Sequence, residues 1–149
     1  MSGALQPVIL GADIGVYALA RSFHEAYGVR SIVVSGAALG PVARSQLIDN
    51  SLVADGHDPR QLVDRLVELG KEMSDRTLVL LANSDWLVRV VVQHRAELEA
   101  YYIVPFLSQE VLDRISDKAT FSEIAVELGI SVPRTLVQDF AGADDPDWR

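Results

Sequence analysis

Residues 7–35, with the sequence PVILGADIGVYALARSFHEAYGVRSIVVS, decide the fold of this chain. The apolar run at the start closes at Gly11, which is typical of a buried strand. From Gly15 onward the apolar residues recur at helical spacing, until Gly28 ends the helix. The run 31–34 is a second short apolar stretch. A strand, a helix and a strand within about thirty residues make up a βαβ unit, which predicts a parallel sheet.

The rest of the chain continues this alternation without an internal repeat. Further strands are predicted at 51–54, 77–81 and 102–104, and the stretch 35–46 is predicted to be a loop with at most one helical turn. The remaining helices begin at residues that cap helices well, which are Asp58, Ser84, Ser108 and Asp117. Short connections between alternating strands and helices predict an α/β, Rossmann-like three-layer fold with a mostly parallel five-stranded sheet.

The composition excludes several functional classes. The chain has 149 residues, of which 49% are hydrophobic, so it can bury the core of one domain. Its formal net charge of −8 argues against a nucleic-acid or anionic-membrane surface, where basic residues supply the affinity. The lack of cysteine excludes disulfides, thiolate zinc sites and cysteine nucleophiles. Because the sequence lacks a signal-peptide pattern and a membrane-length apolar run, we expect a cytoplasmic protein without nucleic-acid or membrane partners.

The turn 11–15, with the sequence GADIG, follows the first predicted strand and is the first candidate site. Ligands of parallel sheets bind at the carboxyl ends of the strands. A dinucleotide fingerprint needs glycines where this chain has Asp13 and Val16, and the second strand ends at Ser35 rather than at an acidic residue. NAD is therefore disfavoured. Two interpretations remain: a purely structural turn, or a small-substrate loop in which Asp13 accepts a hydrogen bond.

Two further groups of polar residues are weaker candidates. Residues 83–86, with the sequence NSDW, follow the fourth strand and are interpreted either as a helix cap with an acidic first turn or as part of a substrate pocket. The three histidines, which are His24, His57 and His94, show no metal-ligand spacing, so we expect no metal site. His57 nevertheless follows the third strand and belongs to the ligand-binding edge.

Two stretches near the carboxyl end resemble a known family. The sequence SDKATF at 116–121 is followed by LGISVPRT at 128–135. Together they resemble the junction of ATP-grasp ligases, which links an N-terminal pre-ATP-grasp domain to the nucleotide-clamping part. Residues 8–13, 20–28 and 80–85 are similar to N-terminal regions of carboxylate–amine ligases. The likeness is to the D-aspartate-ligase-like branch, which acts on peptidoglycan precursors.

The resemblance implies a division of the chain and a function. Residues 1–115 would form the pre-ATP-grasp domain, and residues 116–149 the junction helix and the start of an ATP-grasp region. Ligases of this family use ATP and Mg²⁺ to activate a carboxylate as an acyl phosphate, which an amine then attacks. An ATP-grasp core needs many more residues than this chain supplies. We therefore expect a truncated piece or split-gene subunit that contains no catalytic residue, binds no cofactor alone and is inactive.

The resemblance also assigns site residues. Lys118 would lie near the nucleotide phosphates, where an ammonium group stabilises charge. The first glycine loop would face the substrate, which is a small molecule or a peptidoglycan precursor. The predicted substrate-binding residues are Gly11, Ala12, Asp13, Gly15, Ser84 and Asp85.

Two alternatives and one question of assembly stay open. A free-standing Rossmann-like module for small-molecule binding or regulation would share the same pattern. A nicotinamide-dependent oxidoreductase fragment is disfavoured by Asp13 and Ser35. The helix around residue 90 is apolar nearly all round, which favours burial in the core together with some interface, so a homodimer is one candidate assembly.

Overall fold

The computed structural model describes residues 3–131 and residue 133, except for the side chains of Lys118 and Ala119. The chain divides into two compact units, Met1–Leu107 and Ser108–Arg149. The strands are β1 (Leu5–Leu10), β2 (Ser31–Ser35), β3 (Ile48–Leu52), β4 (Thr77–Ala82) and β5 (Tyr102–Ile103). The helices are α1 (Ile14–Tyr27), α2 (Gly40–Arg44), α3 (Pro59–Glu72), α4 (Asp85–Gln93), α5 (Arg95–Leu98), α6 (Gln109–Ser116) and α7 (Lys118–Glu127).

All five strands of the first unit pair in parallel, in the order β3-β2-β1-β4-β5. The predicted α/β, Rossmann-like architecture is therefore confirmed. The first three strands extend the sheet in one direction, and the chain then returns past β1 to place β4 and β5 on its other side. The point where the direction reverses, between β1 and β4, is the topological switch point at which such sheets bind ligands.

Helices cover both faces of the sheet, and the side chains of β1 alternate between them. Ile9 packs with a cluster that includes Val16 and Val42 of α1 and α2. Val8 and Leu10 belong to the larger cluster on the opposite face, which includes residues of α3, α4 and α5. Because β1 is covered on both sides, it is a nearly continuous apolar run rather than an alternating one.

The edge strands are the elements that the sequence places least well. The third strand is predicted at 51–54 but lies at Ile48–Leu52, where Ile48 alone is buried. One buried side chain is too weak a pattern to mark a strand, and its position is set by pairing with β2. At the other edge, Tyr102 of β5 is buried and its hydroxyl donates to the carbonyl of Leu66 at 2.7 Å. Burial raises the pKa of Tyr102 above its ordinary value.

The second unit contains α6 and α7. Ser108 caps α6 and Asp117 caps α7, as predicted. The division into compact units falls before α6, whereas the predicted domain boundary follows residue 115, and the assignment of residues 116–149 to a ligase junction stays a prediction. The sequence predicts an extended segment at 133–137 and a loose tail at 141–149, and of these residues only 133 lies within the described part of the chain. No described helix has the length and apolar character needed to cross a bilayer.

Candidate functional site

A cavity of about 490 Å³ opens at the carboxyl edge of the sheet, beside the switch point. Its walls come from the segments that follow β1, β2, β3 and β4. The lining residues are Gly11, Ala12, Asp13, Val34, Ser35, Gly36, Ala37, Leu39, Ala54, Asp55, Gly56, His57, Leu62, Asn83, Ser84, Trp86 and Leu87. A cavity of this volume, with mostly apolar walls and a few polar groups, is typical of a small-molecule site.

The turn after β1 forms one wall of the cavity. Its geometry explains why a glycine stands at position 11 and an aspartate at position 13. Gly11 has a φ of 128°, and a Cβ there would lie 2.8 Å from Cγ2 of Val16, so other residues would be strained. Asp13 caps α1: its Oδ1 accepts hydrogen bonds from the backbone N–H of Gly15 at 2.9 Å and of Val16 at 3.2 Å. The cap holds the carboxylate of Asp13 at the cavity.

Asn83 joins this turn to the turn after β4. Its Nδ2 donates to Oδ1 of Asp13 at 2.6 Å. A Cβ on Gly15 would lie 2.5 Å from the same amide, so Gly15 makes room for Asn83 and is not itself among the lining residues. The sequence places Asn83 in the candidate turn 83–86 but does not predict its hydrogen bond with Asp13. A polar side chain at the end of the central strand was the available signal.

Two lining glycines, Gly36 and Gly56, join two loops, although the sequence pattern does not mark them as site residues. A Cβ on Gly36 would lie 2.6 Å from the backbone nitrogen of Gly56, and a Cβ on Gly56 would lie 2.5 Å from that of Gly36. The loops after β2 and β3 therefore touch through their backbones. The signal in the sequence is that each glycine lies within a few residues after a strand.

The loop after β3 carries a network of hydrogen bonds around a second carboxylate. Oδ1 of Asp55 accepts from the backbone N–H of His57 at 2.8 Å, and the N–H of Asp55 donates to Gln61 at 3.0 Å. Gln61 also donates to Asp58, the cap of α3. The hydrogen bond from Gln61, followed by that from the N–H of Arg60, lowers the pKa of the Asp58 carboxyl below its ordinary value. The loop is therefore ordered by its own polar groups.

An aromatic pair lies in the cavity wall. The ring centroids of His57 and Trp86 are 6.0 Å apart, with the planes inclined at 47°. Trp86 is 39% exposed, although its neighbour Leu87 is buried. The predicted ligand-edge position of His57 agrees with this placement, but among the described residues no group of three or more histidine, cysteine, aspartate or glutamate residues could hold a metal ion.

The negative charge of the cavity wall is unfavourable for the phosphates of a nucleoside triphosphate. The described lining contains the carboxylates of Asp13 and Asp55 but no lysine or arginine. The N-termini of α1, α3 and α4 are already capped by Asp13, Asp58 and Ser84. Phosphates are bound by cations or by free N–H groups at helix N-termini. The described wall offers no lysine or arginine, and the carboxylate of Asp13 lies at the first turn of α1.

The structure brings together four of the six predicted substrate-binding residues: Gly11, Ala12, Asp13 and Ser84 line the cavity. Gly15 lies behind it, and Asp85 is the first residue of α4. Lys118 begins α7 in the second unit, and its side chain lies outside the described part. Contact of any of these residues with a ligand stays a prediction.

The fold and the cavity together define a Rossmann-like α/β domain with a ligand-sized site at its switch point. No family model matches the chain. A D-aspartate ligase of Enterococcus faecium (strain Aus0004) is 30% identical to it over 134 residues, which cover 88% of this chain and 32% of that protein. The chain therefore spans about a third of the length of this curated relative.

Proposed function

We propose that the chain is the substrate-side domain of an ATP-dependent carboxylate–amine ligase of the acyl-phosphate type. The observation that carries the proposal is the 30% identity to a D-aspartate ligase, which extends over 88% of the chain. Identity over that length includes most of the sheet and its helices rather than one motif. In this proposal the chain by itself does not ligate.

The cavity supports a substrate-binding role for this domain. It lies at the edge of the sheet where α/β domains bind ligands, and its apolar walls with a few polar groups suit a small molecule or one end of a larger precursor. The residues that would contact the substrate include Asp13 and Ser84, with Asn83 and Gly15 orienting Asp13. ATP does not fit this wall, so the proposal places the nucleotide elsewhere in the ligase, with Lys118 as the candidate for its phosphates on the resemblance alone.

A hybrid enzyme tests the proposal. The homologous third of the Enterococcus faecium D-aspartate ligase is replaced by this chain, and phosphate release is followed with ATP, Mg²⁺, D-aspartate and the amine acceptor. We expect phosphate release that depends on both substrates. The matched control is the same hybrid with Gly11→Val, which fills the turn at the cavity.

The activity of the hybrid can be interpreted only if the hybrid is folded. Circular dichroism and a cooperative thermal melt establish that it is. A folded hybrid without substrate-dependent phosphate release contradicts the proposal. A hybrid that does not fold also counts against it, because homologous domains of the same fold should replace one another.

A further inference from the structure

We propose that the cavity binds an organic cation, namely a primary ammonium group carried on an aliphatic stem. The binding site is the cavity itself, whose volume of about 490 Å³ exceeds what an inorganic ion needs. The chemistry of its walls then determines which ligand it favours. Three independent features of the lining point to a cation with an apolar stem.

The first feature is the charge of the groups that face the cavity. Asp13 and Asp55 belong to different loops, and no described lining residue is a lysine or arginine. The hydrogen bonds that the carboxylate of Asp13 accepts from the described residues all fall on Oδ1, and the one that the carboxylate of Asp55 accepts also falls on Oδ1. The second oxygen of each carboxylate therefore has no hydrogen-bond partner among the described residues and is available to an ammonium donor.

The second feature is that a carboxylate already occupies the N-terminus of α1 at this edge. In many α/β domains the first helix presents free N–H groups to a phosphate or carboxylate ligand. Here Oδ1 of Asp13 already accepts from the N–H of Gly15 and Val16. Oγ of Ser84 similarly accepts from the N–H of Leu87 at 3.3 Å. An anion at the N-terminus of α1 would have to displace the carboxylate of Asp13 and would be repelled by it.

The third feature is an aromatic and aliphatic wall. Trp86 lines the cavity beside His57 and is 39% exposed. Tryptophan is the side chain whose ring binds cations most strongly. Leu39, Leu62 and Leu87 supply the aliphatic surface against which a methylene chain can pack.

The preference for a cation does not depend on the proposed ligase function. Naming the occupant as the ammonium form of the amine substrate does rest on that function. The two proposals can therefore fail separately, and the experiments are chosen to separate them.

The test compares two probes of equal length and opposite charge, pentylammonium and pentanoate, by isothermal titration calorimetry with the full chain at low salt. We expect pentylammonium to bind about tenfold more tightly or better, because the carboxylates of Asp13 and Asp55 accept charge-assisted hydrogen bonds from an ammonium group and repel an anion. Equal or tighter binding of pentanoate overturns the proposal. Failure of both probes to bind also overturns it.

Variants locate the site. Asp13→Asn and Asp55→Asn should each weaken pentylammonium binding by about tenfold, and Trp86→Leu by about threefold. Asparagine caps helices as well as aspartate does, so Asp13→Asn should keep the fold. The charge-matched control is Asp75→Asn, an exposed residue at the opposite edge of the sheet, just before β4, which should leave the affinity unchanged.

Each remaining outcome has a definite meaning. If Asp75→Asn weakens binding as much as the cavity variants do, the affinity reflects net charge alone and the cavity proposal is wrong. If the hybrid ligase is inactive while pentylammonium still binds and the cavity variants weaken it, only the ligase function fails. If the hybrid is active but pentanoate is preferred, only the cation proposal fails.

Discussion

At the scale of single residues, the candidate site depends on pairs of groups that are distant in sequence. Gly36 and Gly56 bring two loops into backbone contact, and Asn83 ties the carboxylate of Asp13 to the turn after β4. The first pair is a steric contact between two backbones, and the second is a hydrogen bond. All four residues line the cavity, so both pairs shape it.

Gly36→Ala should lower the free energy of unfolding by about 1–3 kcal/mol, the usual cost of overpacking. The reason is steric: the added Cβ would lie 2.6 Å from the nitrogen and 2.8 Å from the Cα of Gly56, and backbone cannot rotate away. Chemical denaturation followed by circular dichroism measures the change. Gly56→Ala should cost a similar amount, since it meets the same contact from the other side.

The double variant Gly36→Ala/Gly56→Ala provides the control. Once the methyl group of one alanine has separated the loops, the methyl group of the second alanine has less to displace. The double variant should therefore lose less unfolding free energy than the two single variants lose together. Strictly additive losses, or no loss in either single variant, would show that the loops do not meet as described.

At the scale of elements, α3 shows how packing overrides helix propensity. The helix begins at Asp58 and Pro59, and its stripe of Leu62, Leu66 and Leu69 is buried, as its spacing predicts. Gly70 within it is unfavourable for a helix on propensity alone. The structure explains the glycine, because Tyr101, in the segment before β5, packs directly against it.

Gly70→Ala should therefore destabilise the protein by about 1–3 kcal/mol, although alanine in a helix is about 1 kcal/mol more favourable than glycine. The new methyl would lie 2.5 Å from Cβ of Tyr101, which the backbone holds in place. The midpoint of urea unfolding measures the effect. Lys71→Ala, at an exposed position of the same helix, is the matched control and should change little. A stabilised Gly70→Ala variant would contradict the described packing.

At the scale of the whole molecule, the first unit contains a complete core of its own. Both hydrophobic clusters, one on each face of the sheet, consist of residues within Met1–Leu107. The cavity residues also belong to this unit. Stability and ligand binding are therefore expected to depend mainly on the first unit.

The segment 1–107 should fold alone and unfold cooperatively. Its far-ultraviolet circular dichroism and its thermal midpoint can be compared with those of the full chain. We expect a two-state melt and unchanged affinity for pentylammonium, since no described residue of either core cluster lies beyond residue 107. A non-cooperative melt of 1–107, beside a cooperative one for the full chain, would mean that the second unit completes the fold.

The sequence by itself determined the class of fold and the edge at which the site lies. Apolar runs without alternation mark strands covered on both faces, and glycines and capping residues between them mark where helices begin and end. These signals are local, so β1, α1, β2, α3 and β4 could be predicted closely. The position of Asp13 and Ser84 after two of these strands was enough to place them at the cavity.

Only the tertiary structure decided which residues meet at that edge. The order of the strands puts β1 beside β4, and from this follow the hydrogen bond of Asn83 to Asp13 and the room that Gly15 leaves for it. The contact of Gly36 with Gly56 depends in the same way on the pairing of β2 with β3. Distances between residues far apart in sequence depend on how the strands pair, and no local pattern of side chains carries that information.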